Sequence, residues 1–226
     1  SGFDKWIVSK SKDFTVEAYP GAGKTIFALR CAHQFLLDNP GGLVSIVVPT
    51  AYLKQQWAHE AAKVGIDIAP DWTAASGAIV SGCHGVAATY AAVSSSPESF
   101  RYLCRRPMLL ISDEIHHCGD DQSWGRGMLD AFGGIAKSRI AITGTPWRTS
   151  GEKIPFVSYD EFGILSRDVS FGYAEALDAG ISRPLFFPAF EGRMKWYTRG
   201  QERIATFADS IAKEEDGKRL RTALMA

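Results

Sequence analysis

The sequence lacks any apolar run long enough to span a membrane, and its first residues show no basic-then-apolar signal pattern. Both absences predict a cytoplasmic, non-secreted protein. Cysteine is scarce. Cys31, Cys83, Cys104 and Cys118 lie far apart with no CxxC pair, which argues against a disulfide frame and fits reduced thiols. Cys83-His84 and His116-His117-Cys118 lack the paired short spacings of a structural zinc site. An excess of one charge is also missing. Lys and Arg total 25 against 25 Asp and Glu, which excludes a uniformly basic surface but leaves room for a local basic groove. No internal repeat or low-complexity tract occurs. What is present is an ordinary globular balance, 46% hydrophobic and 22% charged over 226 residues, enough for one large α/β domain or two small ones.

Short apolar runs alternate with amphipathic stretches, the pattern of strands alternating with helices in a mainly parallel sheet. "DFTVEAY" reads as a strand. "KTIFALRCAHQFLL" predicts a helix from about Lys24, with Ile26, Leu29, Ala32, His33 and Leu36 near one face. "GGLVSIVVP" is a nearly continuous apolar run of the kind found in central parallel strands. "AYLKQQWAHEAAKV" predicts a helix burying Leu53, Trp57 and Val64. "GAIVSG" offers a short strand, "GVAATY" another, and "SPESFRYLCR" a helix opened by Ser-Pro. "PMLLIS" and "RIAIT" are further strands on either side of a helical "SWGRGMLDAFGGIA". Residues 149–168 read as loop, "YAEALDAG" as a short helix with Gly180 past its end, and "RPLFFPAF" as a strand. The division expected is one domain over residues 1–190, then a charged, helical segment over 191–226 leading elsewhere.

The stretch "AYPGAGKT" follows the first strand and opens the first long helix. A strand feeding a glycine loop and then a helix presents backbone N–H groups and the positive helix end to an anion. Pro20, Gly21, Ala22 and Gly23 would wrap phosphate oxygens, Lys24 would supply charge, and Thr25 a hydroxyl for magnesium. The full consensus has glycine where this chain has Ala18. About ninety residues downstream, "LLISDEIHH" places Asp113 at a strand end as a second magnesium ligand, with Glu114 beside it to take a proton from an attacking water. Acids after a strand also cap helices, but pairing with the loop points to a nucleoside triphosphate.

"AYPGAGKT", "IVVPTAYLKQQW", "GVAATY", "SDEIHH" and "ITGTPWR" resemble, in order and spacing, the first-domain motifs of superfamily 2 helicases and translocases over residues 14–148. "DEIH" marks a DExH-type member, and "TGTPWR" is closer to the motor subunits of type III restriction enzymes and related double-stranded-DNA translocases than to DEAD-box RNA helicases. The resemblance implies a RecA-like P-loop NTPase fold with helices on both faces of a twisted sheet, using ATP and Mg2+. It implies that Lys24, Asp113 and Glu114 carry catalysis. His116, Thr143, Gly144, Thr145 and Arg148 would couple nucleotide state to domain movement. Pro49, Thr50, Tyr52, Thr89 and Tyr90 would touch a nucleic-acid backbone. Thr50 and Thr89 could equally cap helices, and Tyr52 and Tyr90 could pack. Phe3 or Trp6 offers a ring for the base. The partners implied are nucleic acid, DNA more than RNA, and a second RecA-like domain bearing arginine fingers. An ATP-dependent switch acting on a protein partner without translocation is the alternative.

Overall fold

A computed structural model of the chain describes residues 1–9, 11–79, 81–120, 122–144, 153–184, 193–198 and 201–206. It forms two compact units, Ser1–Arg183 and Pro184–Ala226. The expected boundary at residue 190 lies outside the described residues, as does most of the "RPLFFPAF" strand.

The first unit opens with α1 (Gly2–Val8), capped by Ser1, whose hydroxyl accepts from the Asp4 N–H while Asp4 reaches back. Then follow β1 (Asp13–Ala18), α2 (Lys24–Asp38), β2 (Leu43–Val48), α3 (Ala51–Ala62), β3 (Ile68–Ala69) and β4 (Gly85–Thr89). After these come α4 (Tyr90–Ser95), α5 (Pro97–Leu103), β5 (Met108–Asp113), α6 (His117–Asp120), α7 (Gln122–Phe132) and β6 (Ser138–Thr143). The unit closes with β7 (Ser158–Tyr159), β8 (Leu165–Ser166), β9 (Val169–Phe171) and α8 (Tyr173–Asp178).

Among the described residues a seven-stranded sheet runs in the order β3-β4-β2-β5-β6-β1-β9, every pairing parallel. β2 lies near the middle, and all six of its residues are buried. That burial is what its unbroken apolar run requires, since a parallel strand is covered on both faces. Alternate residues serve alternate layers. On one face Val16, Val44, Ile46, Leu109 and Ile140 pack with Leu29, Phe35 and Trp57 of α2 and α3. On the other, Leu43, Val47, Val86 and Leu110 pack with Tyr90, Phe100, Met128 and Phe132 of α4, α5 and α7. The fold is therefore α/β and RecA-like, as expected.

Several local expectations are corrected. α2 buries Ala28, Leu29, Cys31, Ala32 and Phe35, whereas Ile26 is 73% exposed and His33 is exposed. Small side chains along that face let the helix approach the sheet, a choice the apolar period alone does not reveal. Val64 lies beyond the end of α3 and is exposed. No strand forms in the described part of "GAIVSG"; the edge strand is instead β3, upstream. Tyr90 starts a helix rather than ending a strand. The glycines of α7 are functional to packing: a Cβ on Gly127 would come within 2.5 Å of Ser94 Cα on α4. The stretch expected as loop, 149–168, contains β7 and β8, which pair with each other, and β9 follows directly after it and pairs with β1.

In the second unit, β10 (Arg193–Thr198) and β11 (Gln201–Thr206) form an antiparallel hairpin. The helix expected from residue 191 is absent over those residues. β10 alternates in the manner of a strand over "RMKW", whereas β11, "QERIAT", does not, and the charge that suggested a helix is equally compatible with a two-stranded ribbon. The rest of that expectation lies outside the described residues.

Candidate functional site

β6 runs between β1 and β5, so the elements that follow β1 and β5 meet across its C-terminal end. That ordering sets the geometry of the site. β1 and β5 are two strand spacings, about 9–10 Å, apart, a gap that a lysine and a glutamate can bridge together.

After Ala18 the chain turns tightly. The Tyr19 N–H donates to the Phe171 carbonyl at 2.9 Å, and the Ala22 N–H to the Tyr19 carbonyl at 3.0 Å. Gly21 and Gly23 take φ of 84° and 79°, left-handed values that a side chain would strain, and Gly23 then starts α2. No acidic residue occupies the first turn of that 15-residue helix, so its positive end has no counter-charge of its own there. Pro20 and Gly21 are exposed, while Ala22, Gly23, Lys24 and Thr25 are half-buried.

Glu114 follows β5 with φ of 49°, unusual for a residue with a side chain and of the kind that surrounding structure must enforce. Lys24 Nζ donates to Glu114 Oε1 at 2.8 Å, and the Gly144 N–H donates to Oε2 at 3.1 Å. Residue 144 must be small: a Cβ there would lie 3.0 Å from Lys24 Nζ and 3.7 Å from Glu114 Oε1. His116 Nδ1 lies 3.0 Å from Thr143 Oγ1 and 3.4 Å from Glu114 Oε2, with the His117 ring 4.4 Å away. Asp113 is held differently. Its Oδ2 accepts from Trp57 Nε1 at 2.8 Å, and its main-chain carbonyl accepts from the Tyr90 hydroxyl at 2.8 Å.

These surroundings separate the two acids. Burial raises the Asp113 pKa, the Trp57 hydrogen bond opposing and the Glu114 charge reinforcing it. Burial also works to raise Glu114. There the hydrogen bonds from Lys24 and Gly144, with the charges of Lys24 and His116, outweigh it and leave the pKa lowered. Adjacent carboxyls driven in opposite directions are suited to different roles.

Lys24, Asp113, Glu114, His116, Thr143 and Gly144 thus lie close together, while Thr145 and Arg148 lie outside the described residues. Thr50 stands at the N-cap of α3, exposed and without a capping hydrogen bond, and Tyr52 is 78% exposed beside it. Thr89 does cap its helix, accepting from the Ala92 N–H at 3.1 Å. Tyr90 is a correction: its side chain is fully buried and bonded to Asp113, so it is not placed to touch a nucleic acid. Phe3 packs under the Arg30 guanidinium at 4.2 Å, which occupies one face of its ring.

Two residues that hold Asp113 were not legible as such. Trp57 reads as packing and Tyr90 as a backbone contact. The available signal is that a buried indole N–H or phenol O–H needs a partner. No group of three or more His, Cys, Asp or Glu among the described residues could hold a metal. A magnesium ion borne on a triphosphate needs only one or two protein donors, and the hydroxyl-plus-carboxylate pair of Thr25 and Asp113 suits a hard cation. A loop left-handed at Gly21 and Gly23, opening a helix with no acid in its first turn, likewise fits phosphate.

Comparison with known proteins gives the family. The family model of the type III restriction enzyme, res subunit, matches residues 3–148. An uncharacterized protein of Mycobacterium tuberculosis is 41% identical across 97% of this chain, which spans 37% of that relative's length. A nuclease-deletion mutant of the type ISP restriction-modification enzyme LlaGI, solved with a DNA substrate mimic, superposes with TM-score 0.57 at 16% identity. That match covers 80% of this chain and 20% of the other. The Sulfolobus solfataricus SWI2/SNF2 ATPase core, solved with dsDNA, gives 0.51 at 20% identity, over 64% of this chain and 31% of the other. At such identities these two speak for the fold alone.

Proposed function

We propose a function from one premise: the chain belongs to the family of the type III restriction enzyme, res subunit, and forms the N-terminal RecA-like domain of a superfamily 2 helicase or translocase. On this reading it is the ATP-binding lobe of a nucleic-acid-dependent ATPase that moves on, or unwinds, DNA. The observation that carries the reading is the 2.8 Å contact between Lys24 and Glu114, with Glu114 also on the Gly144 N–H. It places the loop lysine and the candidate base at one point, across the end of one strand.

The residues would divide the work as follows. The 19–23 loop and the start of α2 receive the phosphates through N–H groups. Lys24 leaves Glu114 for a phosphate oxygen, exchanging one anion for another. Glu114, released from the lysine and still on the Gly144 N–H, accepts the proton of the attacking water. Thr25 and Asp113 would hold magnesium, which supplies charge neutralisation on the transferred phosphoryl group. His116, between Glu114 and Thr143, is placed to report the change to the chain after β6. Pro49, Thr50, Tyr52 and Thr89 lie at the same end of the sheet, and their hydroxyl and main-chain groups suit phosphate contacts. A second RecA-like domain in the longer protein would supply the arginine finger, worth about a thousandfold or more. In isolation these 226 residues are expected to bind ATP weakly and turn it over poorly.

Two substitutions in the intact protein test the reading. Lys24→Ala should weaken nucleotide binding, and Glu114→Gln should keep binding while stopping turnover. Normal turnover by Glu114→Gln would remove Glu114 as the base.

A further inference from the structure

α3 and α4 cover opposite faces of the sheet, yet each sends one donor to the same residue. Trp57, 2% exposed, reaches the Asp113 carboxylate from one layer through its indole N–H at 2.8 Å. Tyr90, fully buried, reaches the Asp113 carbonyl from the other layer through its hydroxyl at 2.8 Å. Nothing in packing alone calls for both to converge on one acid. Each helix also begins at the edge proposed to touch nucleic acid. Thr50 and the exposed Tyr52 open α3, with Trp57 about one and a half turns further on. Thr89 precedes Tyr90 directly.

We propose that Trp57 and Tyr90 are positioning residues that couple the nucleic-acid edge to the metal-binding carboxylate, so that engaging the starts of α3 and α4 sets the pose of Asp113. The inference rests on the motor reading above. It assigns the coupling to two hydrogen bonds rather than to the chain after β6 alone. The physical reasoning is direct. Moving α3 along its axis by a fraction of an ångström carries a rigid indole with it, because a packed interior transmits displacement instead of absorbing it. The carboxylate oxygen bound to Trp57 must follow or lose its hydrogen bond. The Tyr90 bond anchors the main chain of Asp113 from behind, so the side chain rotates about a fixed point. Thermodynamic linkage makes the effect reciprocal: nucleic acid tightens nucleotide, and nucleotide tightens nucleic acid, by one factor.

The test uses the intact protein and a fluorescent, non-hydrolysed ATP analogue with Mg2+, titrated with and without duplex DNA. The ratio of the two dissociation constants is the coupling factor. For the unmodified protein it should be about fivefold or more, the usual range for coupled sites. Trp57→Phe removes the N–H and keeps an aromatic ring. Tyr90→Phe removes only the hydroxyl, which guards against a Trp57 variant that fails to fold. Each should bring the factor to about twofold or less, while Mn2+ binding read by electron paramagnetic resonance weakens in Trp57→Phe. A factor retained in both variants, against a coupled parent, would overturn this inference and leave the motor reading intact. A factor of one in the parent would overturn both.

Discussion

The two ends of the sheet carry similar groups to opposite purposes. At the N-terminal end Arg139, only 9% exposed in its side chain, forks onto both oxygens of Asp13. It also donates to the Gly133 carbonyl and lies 4.4 Å from the Phe156 ring. Lys137 reaches Asn39 beside it. Most of the guanidinium's donors are used, the acid partner is bidentate, and nothing is left to exchange. At the C-terminal end Lys24 meets Glu114 through one oxygen, Glu114 sits at a positive φ, and Asp113 is buried against its electrostatic preference. A fork satisfied by protein locks strands together; a single contact of a lysine point charge can be traded for a ligand.

Substitutions that break this comparison should separate stability from function. The largest effect is expected from Asp13→Ala, which leaves Arg139 buried with its main partner gone. Urea unfolding should show a loss of about 3 kcal/mol, with nucleotide affinity unchanged in the fraction that folds. Glu114→Gln, at the other end, should cost turnover about a hundredfold or more while losing only the stability that the ionised carboxylate contributes, less than Asp13→Ala loses. Lys24→Ala should lower analogue affinity by about tenfold or more, equivalent to one 1.4 kcal/mol step, measured by fluorescence titration.

Asp113→Asn sharpens the contrast further. The folded pKa of Asp113 is raised, so the stability linked to its neutral form is present below the unfolded value and lost as pH rises through the folded one. At neutral pH the ionised group therefore costs stability, and the asparagine variant should melt higher than the parent while losing Mg2+-dependent turnover. Glu114 behaves with the opposite sign. Its pKa is lowered, so its contribution is present above the unfolded value and fades as pH falls through the folded one. The smallest effect is expected from Gly144→Ala. The added Cβ presses on the far end of Lys24, which can move aside, so binding should fall a few-fold without unfolding.

How much of this was legible in sequence follows from how local each feature is. The glycine loop, the acid box and the buried central strand each specify themselves within a few residues, and all three form where expected. The bond from Trp57 to Asp113 spans 56 positions and depends on which layer α3 joins, which no periodicity records. The buried face of α2 joins Leu29 and Phe35 with the small Ala28, Cys31 and Ala32 and leaves Ile26 out, which the apolar period alone does not show. The pairing of β10 with β11 is not legible because "QERIAT" has no alternation to mark a strand and its charge reads as helix. Tyr90 reads in sequence as the end of a strand and a backbone contact, since only the sheet order shows that it opens α4 and that its hydroxyl points inward to β5.

The most direct test is steady-state ATP turnover by the intact protein carrying this chain, with and without duplex DNA, single-stranded DNA and RNA. The account predicts stimulation by nucleic acid, greatest with DNA, and its loss in Glu114→Gln. A rate indifferent to all three nucleic acids would contradict it and leave an ATP-driven switch for a protein partner in its place.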